Sequence, residues 1–409
     1  MQLRYSFRLY PSAGQRAALA RAFGCARVVF NDGLRVREET RVAGLGFVTS
    51  GELSKRLTAA KKTPERAWLG EVSSVVLQQS LRDLDTAYRN FFDGLKNKRP
   101  KVGAPRFKSK RDNHQSIRFT ANAGWRITPG RKLRLPKVGD VAVRWSRVLP
   151  STPSTVTVIK DAAGRYFASF VVETAASETL PKTTPEIGID LGLGHFAVFS
   201  DGTKVNSPRF LRRAEKRLKK AQRELCRKEK GSKNRDKARV TVARSHARVA
   251  DARSEFHHRL STRIIRENQA VAVEDLAVKG LARTRLAKSI HDAGWSAFVA
   301  MLEYKAARYG RTFIRIGRFE PTSQVCARCG VKDGPKPLSV REWTCGACGT
   351  VLDRDVNAAV NVAKAAGLAV SACGAWVRQA LVPAPRDEAG THPKQPARPV
   401  REQAGIPGL

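Results

Sequence analysis

Ile187-Gly188-Ile189-Asp190-Leu191-Gly192 decides how the rest of the chain is read. A short apolar run, entered from the polar and proline-bearing residues 177–185, predicts a buried strand and a domain boundary before it. A carboxylate inside such a strand is costly unless it is paired or holds a metal. Gly194 allows a turn, residues 195–200 form the return strand, and Asp201-Gly202 close it. Residues 270–276 are a second apolar run, and it carries Glu274. The third acid comes from Leu352-Asp353-Arg354-Asp355-Val356-Asn357-Ala358-Ala359, a helix start. Asp353 fits a helix cap there. Asp355 follows it and precedes small alanines that permit close packing.

Strand acid, strand acid, helix acid is the order that an RNase H-like sheet gathers around one point. Three carboxylates so placed suit two hard cations, Mg2+ or Mn2+, about 4 Å apart. Such a pair activates water and stabilises the leaving 3′ oxygen of a phosphodiester. Taken singly, each acid reads more easily as a paired, surface or capping group. As a trio, with a metal-binding module between the second and third, Asp190, Glu274 and Asp355 are the candidate catalytic and magnesium-binding residues.

That module is Cys326-x2-Cys329 and Cys345-x2-Cys348, two knuckles fifteen residues apart. Two such knuckles aim four thiolates at one point, which is a closed, structural zinc site; a redox pair or iron–sulfur cluster is the competing reading. Gly330, Gly346 and Gly349 are expected to let the backbone turn around the sulfurs. With every ligand position filled by protein, the zinc drives folding, worth on the order of 10 kcal/mol. Cys25, Cys226 and Cys373 have no partner spacing and are expected to be inert thiols.

Charge sets the partner. The 409 residues hold 76 Lys plus Arg against 36 Asp plus Glu, a net of +40. A folded chain with that excess repels itself unless it meets a polyanion, and nucleic acid is the expected one. A ribosomal or histone-like structural protein and a membrane-surface binder are the alternatives. Residues 96–111 carry eight Lys or Arg and no acid, with Pro100, Gly103 and Pro105 holding them extended. Lys96, Lys98, Arg99, Lys101, Arg106 and Lys108, with the aromatic Phe107 among them, are expected to bind nucleic acid; a solvated linker competes. Residues 209–263 carry 20 Lys or Arg against six acids. Leu211, Leu218 and Leu225 recur at heptad spacing, as do Val242, Val249 and Phe256, and Gly231-Ser232 breaks the stretch into a helical hairpin. Arg212, Lys216, Lys219, Lys220 and Arg223 are its candidate phosphate contacts.

Strict alternation makes residues 1–10 a strand, residues 15–41 and 73–95 have helical spacing, and residues 115–176 read as short strands expected to close a small antiparallel barrel. The hydrophobic content of 42% supports real cores, and the length suggests two to four units. No run approaches the roughly 18 apolar residues of a membrane span. The N-terminus lacks a signal-peptide apolar region, so a cytoplasmic, nucleoid-associated location is expected.

Four segments in combination carry a resemblance. They are Ile187 to Gly192, Val273-Glu274-Asp275-Leu276, Pro321-Thr322-Ser323-Gln324-Val325-Cys326 through Cys348-Gly349, and Asp353 to Ala359. They resemble the TnpB family of transposon-associated, RNA-guided DNA endonucleases. Phe7-Arg8-Leu9-Tyr10-Pro11 with Gln15 and Phe23-Gly24, and Gly103-Ala104-Pro105-Arg106-Phe107-Lys108, add to it, so that residues 1–370 are covered. The resemblance implies an α+β multidomain chain. Residues 1–10 and 112–180 would form a β-barrel wedge domain with a helical recognition insertion at 11–111. Residues 186–319 and 350–370 would form an RNase H-like (RuvC-like) α/β nuclease interrupted by a zinc ribbon at 320–349, and the tail at 383–409, with six prolines, is expected to be disordered. By family position Asp190, Glu274 and Asp355 are the metal-binding catalytic acids. The implied partners are a guide RNA and target double-stranded DNA, with base pairing reading the target and protein reading a short flanking motif. Miniature type V CRISPR effectors share these motifs; the short chain favours the transposon protein. A guide-directed repressor without cleavage and a strand-transfer transposase are the remaining readings, and the intact acid trio favours cleavage.

Overall fold

The computed structural model describes residues 2–174, 179–337 and 339–369. The tail at 383–409, Cys373 and residue 370 of the expected nuclease segment lie outside the described residues.

The first half runs β1 (Gln2–Tyr10), α1 (Ala13–Val42), α2 (Ser50–Ala60), α3 (Ser74–Leu95), β2 (Gln115–Thr120), β3 (Arg126–Ile127), β4 (Lys132–Leu135), β5 (Gly139–Arg144), β6 (Thr155–Lys160) and β7 (Tyr166–Glu173). The alternation of β1 sends Tyr5, Phe7 and Leu9 into the core. The sheet is antiparallel throughout, in the order β2-β6-β7-β1-β5-β4-β3. Phe7, Trp125, Trp145 and Phe170 cluster on it with ring centroids 4.7–5.9 Å apart. The expected closed barrel is corrected to an open, curled sheet: among the described residues no ladder joins β2 to β3. Strand β3 is two residues long, too short to close a ring. The other end strand, β2, is instead packed by α1 and α3, a covering that blunts its edge. Helix α1 starts on a capping box, Ser12 with Gln15, and Gln15 Nε2 also donates to Asp140 O at 2.9 Å, tying helix to sheet. Helix α2, unread in the sequence, buries only Leu53 and Leu57.

The second half runs β8 (Glu186–Asp190), β9 (His195–Phe199), β10 (Lys204–Asn206), α4 (Phe210–Cys226), α5 (Lys233–Glu267), β11 (Ala270–Glu274), α6 (Val278–Leu281), α7 (Ala287–Ala293), α8 (Trp295–Tyr309), β12 (Thr312–Ile316), β13 (Glu342–Thr344), β14 (Val351–Asp353) and α9 (Arg354–Ala365). Five strands form one sheet, β10-β9-β8-β11-β12. Strands β8, β11 and β12 are parallel, and β9 is antiparallel to both neighbours.

Side-chain size divides the faces of this sheet. Ile187, Ile189, Val271 and Val273 pack with Leu260, Ile264, Phe298 and Leu302 of α5 and α8. The alternate positions are small: Gly188 and Ala272 face α9. A Cβ on Gly188 would stand 2.3 Å from Ala359 O and 2.6 Å from Ala363 N. Only glycine permits this approach. The heptad leucines and valines meet as expected: α4 and α5 pack as a hairpin with Leu218 and Val249 buried, turning at Gly231, where φ is 92°. At 35 residues, α5 is about 52 Å long.

Gly188→Ala is therefore expected to push α9 off the sheet. Overpacking of this kind costs about 1–3 kcal/mol or more, and thermal unfolding should show a melting temperature several degrees lower.

Candidate active site and metal centre

Strands β8 and β11 end together. Val273 pairs with Ile189, so Glu274 and Asp190 follow at one level on strands about 4.8 Å apart. Helix α9, lying across β8, brings Asp355 from its first turn to the same lip. All three acids are half-buried. Burial, then the charges of Asp355 and Glu274, push Asp190 up to about 7. Burial, then Asp275, raises Glu274. The acids thus feel one another's charge, yet they are not drawn into a tight cluster. Among the described residues, the four cysteines are the one group of three or more possible ligands with atoms all within 4.8 Å. Two basic side chains flank Asp355: the Arg341 guanidinium Nη1 lies 3.4 Å from Oδ1, and His195 Nδ1 lies 3.9 Å from Oδ2. Neither carried a sequence signal, since each is an isolated residue that reaches Asp355 from a different element.

Asp353 caps α9. Its carboxylate accepts from the amides of Asp355 and Val356 at 3.1 and 2.9 Å and from Lys204 Nζ at 2.5 Å. Against the upward pull of burial, these bonds hold it below the usual carboxylate value. Its oxygens are engaged in starting the helix, whereas Asp355 is presented at the lip.

The cysteine site has the geometry of a tetrahedral S4 centre. Sγ–Sγ separations are 3.7 Å for Cys326–Cys348 and for Cys329–Cys345. That is far longer than a disulfide and close to the ~3.8 Å edge of a tetrahedron built on 2.3 Å zinc–sulfur bonds. The knuckles match: Gly330 N–H donates to Cys326 O and Gly349 N–H to Cys345 O, each at 2.9 Å. Gly330 and Gly349 take positive φ, 76° and 65°. Gly346, expected to serve the same turn, keeps an ordinary φ. Hydrogen bonding to Thr350 holds the Cys348 thiol down to about 6. The donor set fits zinc.

The four-cysteine module is fastened to α9, the helix that carries Asp355. Buried Asn357 and Asn361, one turn apart on α9, donate to the same two carbonyls, Thr322 O (3.2 and 2.8 Å) and Val325 O (2.8 and 2.7 Å). Asn357 Oδ1 accepts from Ala327 N at 2.7 Å. Hairpin β13–β14 leads directly into α9.

The basic candidates are all on the surface. Residues 96–111 are not a loose linker throughout. Asn31 grips Lys108 by both amide ends, at 2.8 and 3.0 Å. Lys108 Nζ stands 3.9 Å from the centre of the Phe30 ring, and burial lowers its pKa. Arg99 pairs with Asn90. Lys96, Lys98, Lys101, Arg106 and Phe107 are exposed. On α4, Lys219 pairs with Glu215 at 3.0 Å and Arg212 with Ser289 at 3.2 Å, while Lys216, Lys220 and Arg223 stand on the exposed face. A polar cleft between α1, α3 and β2, lined by Arg27, Gln79 and Asp83, does not include the three acids.

Comparison with known proteins agrees with this architecture. A family profile described as "Probable transposase" matches residues 169–285, and one described as "Cas12f1-like, TNB domain" matches residues 295–362. A third, "Helix-turn-helix domain", matches residues 1–44, where the structure has a strand followed by one 30-residue helix. Two relatives bear the name "Putative RNA-guided DNA endonuclease". One, from Streptomyces pristinaespiralis, is 46% identical over 99% of this chain and 98% of its own length. The other, InsQ of Escherichia coli (strain K12), is 31% identical over 91% of this chain and 94% of its own length. A chain of the solved "Cas12f1-sgRNA-target DNA complex" shares the fold, with a TM-score of 0.52 at 13% identity over 88% of this chain and 98% of that chain. The chain belongs to the TnpB family. Among the described residues no helix is long and apolar enough to cross a membrane.

Two outcomes follow from the electrostatics. In the fold Asp190 stays protonated from about pH 4 to about 7, where the unfolded chain has already ionised. Stability therefore falls as pH rises through that window. Asp190→Asn should raise the melting temperature at pH 8 by a few degrees, with the gap closing below pH 4. A strong chelator, or Cys345→Ser, should unfold the four-cysteine module and lower the melting temperature by several degrees, as expected of a structural metal site.

Proposed function

We propose that the chain is an RNA-guided DNA endonuclease that cuts DNA complementary to its guide beside a short flanking motif. The observation that carries this reading is the meeting of Asp190, Glu274 and Asp355 at one lip of the five-stranded sheet. Its strand order, three antiparallel strands continued by two parallel ones, supports the reading of an RNase H-like (RuvC-like) nuclease. We assign residues 186–319 and 350–370 to that nuclease and 320–349 to its zinc ribbon. Residues 1–10 and 112–180 form the wedge, and 11–111 the recognition insertion.

Asp190, Glu274 and Asp355 would hold Mg2+ or Mn2+, since hard carboxylate oxygens suit those ions. Bound there, the cations supply Lewis-acid chemistry, lowering the pKa of water and stabilising the leaving 3′ oxygen. The protein's own part is placement. The strand ends fix two carboxylates, Gly188 lets the helix deliver the third, and Arg341 stands where a phosphate oxygen would find a guanidinium. The exposed lysines and arginines of residues 96–111 and of α4 would hold the guide RNA and its heteroduplex by their phosphates. Support for the guide comes from the names of full-length relatives.

RNA that copurifies with the expressed chain should be a single defined species. DNA matching it, beside a randomised flank, should be cut in Mg2+ and not in a chelator. Asp190→Ala should lower the cleavage rate by at least about a thousandfold while RNA still copurifies. Wild-type protein that carries RNA yet cuts no matching DNA would leave the repressor reading in its place.

A further inference from the structure

We propose that Phe319 is a stacking platform for an unpaired nucleobase of the strand being cut. The proposal rests on the nuclease reading of the neighbouring acids and adds to it the residue that places the strand. Phe319 is 93% exposed, more than any other large hydrophobic side chain among the described residues. It stands in the connection from β12 to the first cysteine knuckle. Ile316, the last residue of β12, is in register with Glu274. Three further residues reach at most about 11 Å, a span that a nucleic-acid strand crosses in a few nucleotides.

The backbone beside the ring is pinned. Arg318 Nη2 donates to Asp275 Oδ2 at 2.6 Å, and its Nε to Asp275 O at 3.2 Å. Asp275 N–H in turn donates to Ile316 O at 3.3 Å. The ring is thus carried by the residue next to Glu274 and held out in water. An apolar ring left there forgoes the gain of burial, and packing inside the fold does not account for it.

The surroundings select the occupant. Arg318 is paired with Asp275, and Arg315 with both Asp275 and Glu303. Phosphate would find these guanidiniums already engaged, so the spot offers a π-face rather than a spare cation. Its chain neighbours are Arg318, Glu320 and Pro321, so it lacks the contiguous apolar area of a protein-docking patch. A flat base, already unpaired, fits a single exposed ring.

The test uses the chain with its copurified RNA, carrying Asp190→Asn so that bound DNA stays intact. The probes are single-stranded oligodeoxynucleotides, each with one 2-aminopurine at successive positions, in Mg2+. Fluorescence should be quenched at one or two positions. Phe319→Ala should lose that quenching and weaken binding about tenfold, within the range for one stacked base. Phe319→Trp should keep both, and Phe319→Leu, apolar without a π-face, should restore neither. All three variants should melt with their parent. Quenching that survives Phe319→Ala or returns with Phe319→Leu overturns the proposal, as does a melting temperature several degrees lower in Phe319→Ala. If wild-type protein fails to cut a strand that is nonetheless quenched through Phe319, the nuclease reading falls and the stacking site stands.

Discussion

The contact of α9 with β8 at Gly188 is the constraint on which the rest of the site depends. With a Cβ position only 2.3 Å from a helix carbonyl, strand and helix are as close as two backbones can pack. That closeness carries Asp355, at the start of the helix, to the strand end that bears Asp190. The same strand hides Ile187 and Ile189 on its other face, so its register cannot slip by one residue without burying the wrong side. Position and register together bring three carboxylates to one lip.

Burying a carboxylate beside like charges is unfavourable, and Asp190 records this by holding its proton to about 7, burial being the larger cause and the charges of Asp355 and Glu274 the next. The opposing stabilisation comes from around the site. Asp353 and Lys204 start the helix, and Asn357 and Asn361 bind it to the carbonyls before the first cysteine knuckle. The four-cysteine centre is thus more than a staple within its own ribbon. The module built on these four cysteines is hydrogen-bonded to the helix that presents the third acid, two residues before Asn357. Its hairpin also supplies Arg341 to that acid.

The basic surface divides by how it is held. The α4–α5 hairpin offers cations along a rigid rod, because Leu218 and Val249 lock its seam. Residues 96–111 lack regular structure, yet Asn31 and Phe30 fix Lys108 in place. Both arrangements lower the ordering cost of meeting a polyanion. The open curled sheet of the first half, closed at one end by α1 and α3 rather than by a final ladder, leaves these basic elements on the outside.

Much of this was legible along the chain. Alternation marked β1, heptads marked α4 and α5, and knuckle spacing marked the cysteine centre, because each depends on residues close in sequence. The carboxylates stood out for the same reason: an acid within an apolar run contradicts its surroundings. Asp353 was legible as a cap, since its partners lie two and three residues on. Contacts between distant segments were not legible. Barrel closure turned on whether β2 meets β3, and pattern cannot report that. His195 and Arg341 reach Asp355 from another strand and from the ribbon, and Phe319 matters through the register of β12 against β11. By itself the sequence determined most of the elements, the four-cysteine cluster and the family to which the chain belongs, since periodicity, spacing and residue type act locally. Only the tertiary structure decided which groups stand beside the acids, because those distances are set by packing between separate elements rather than by spacing within one element.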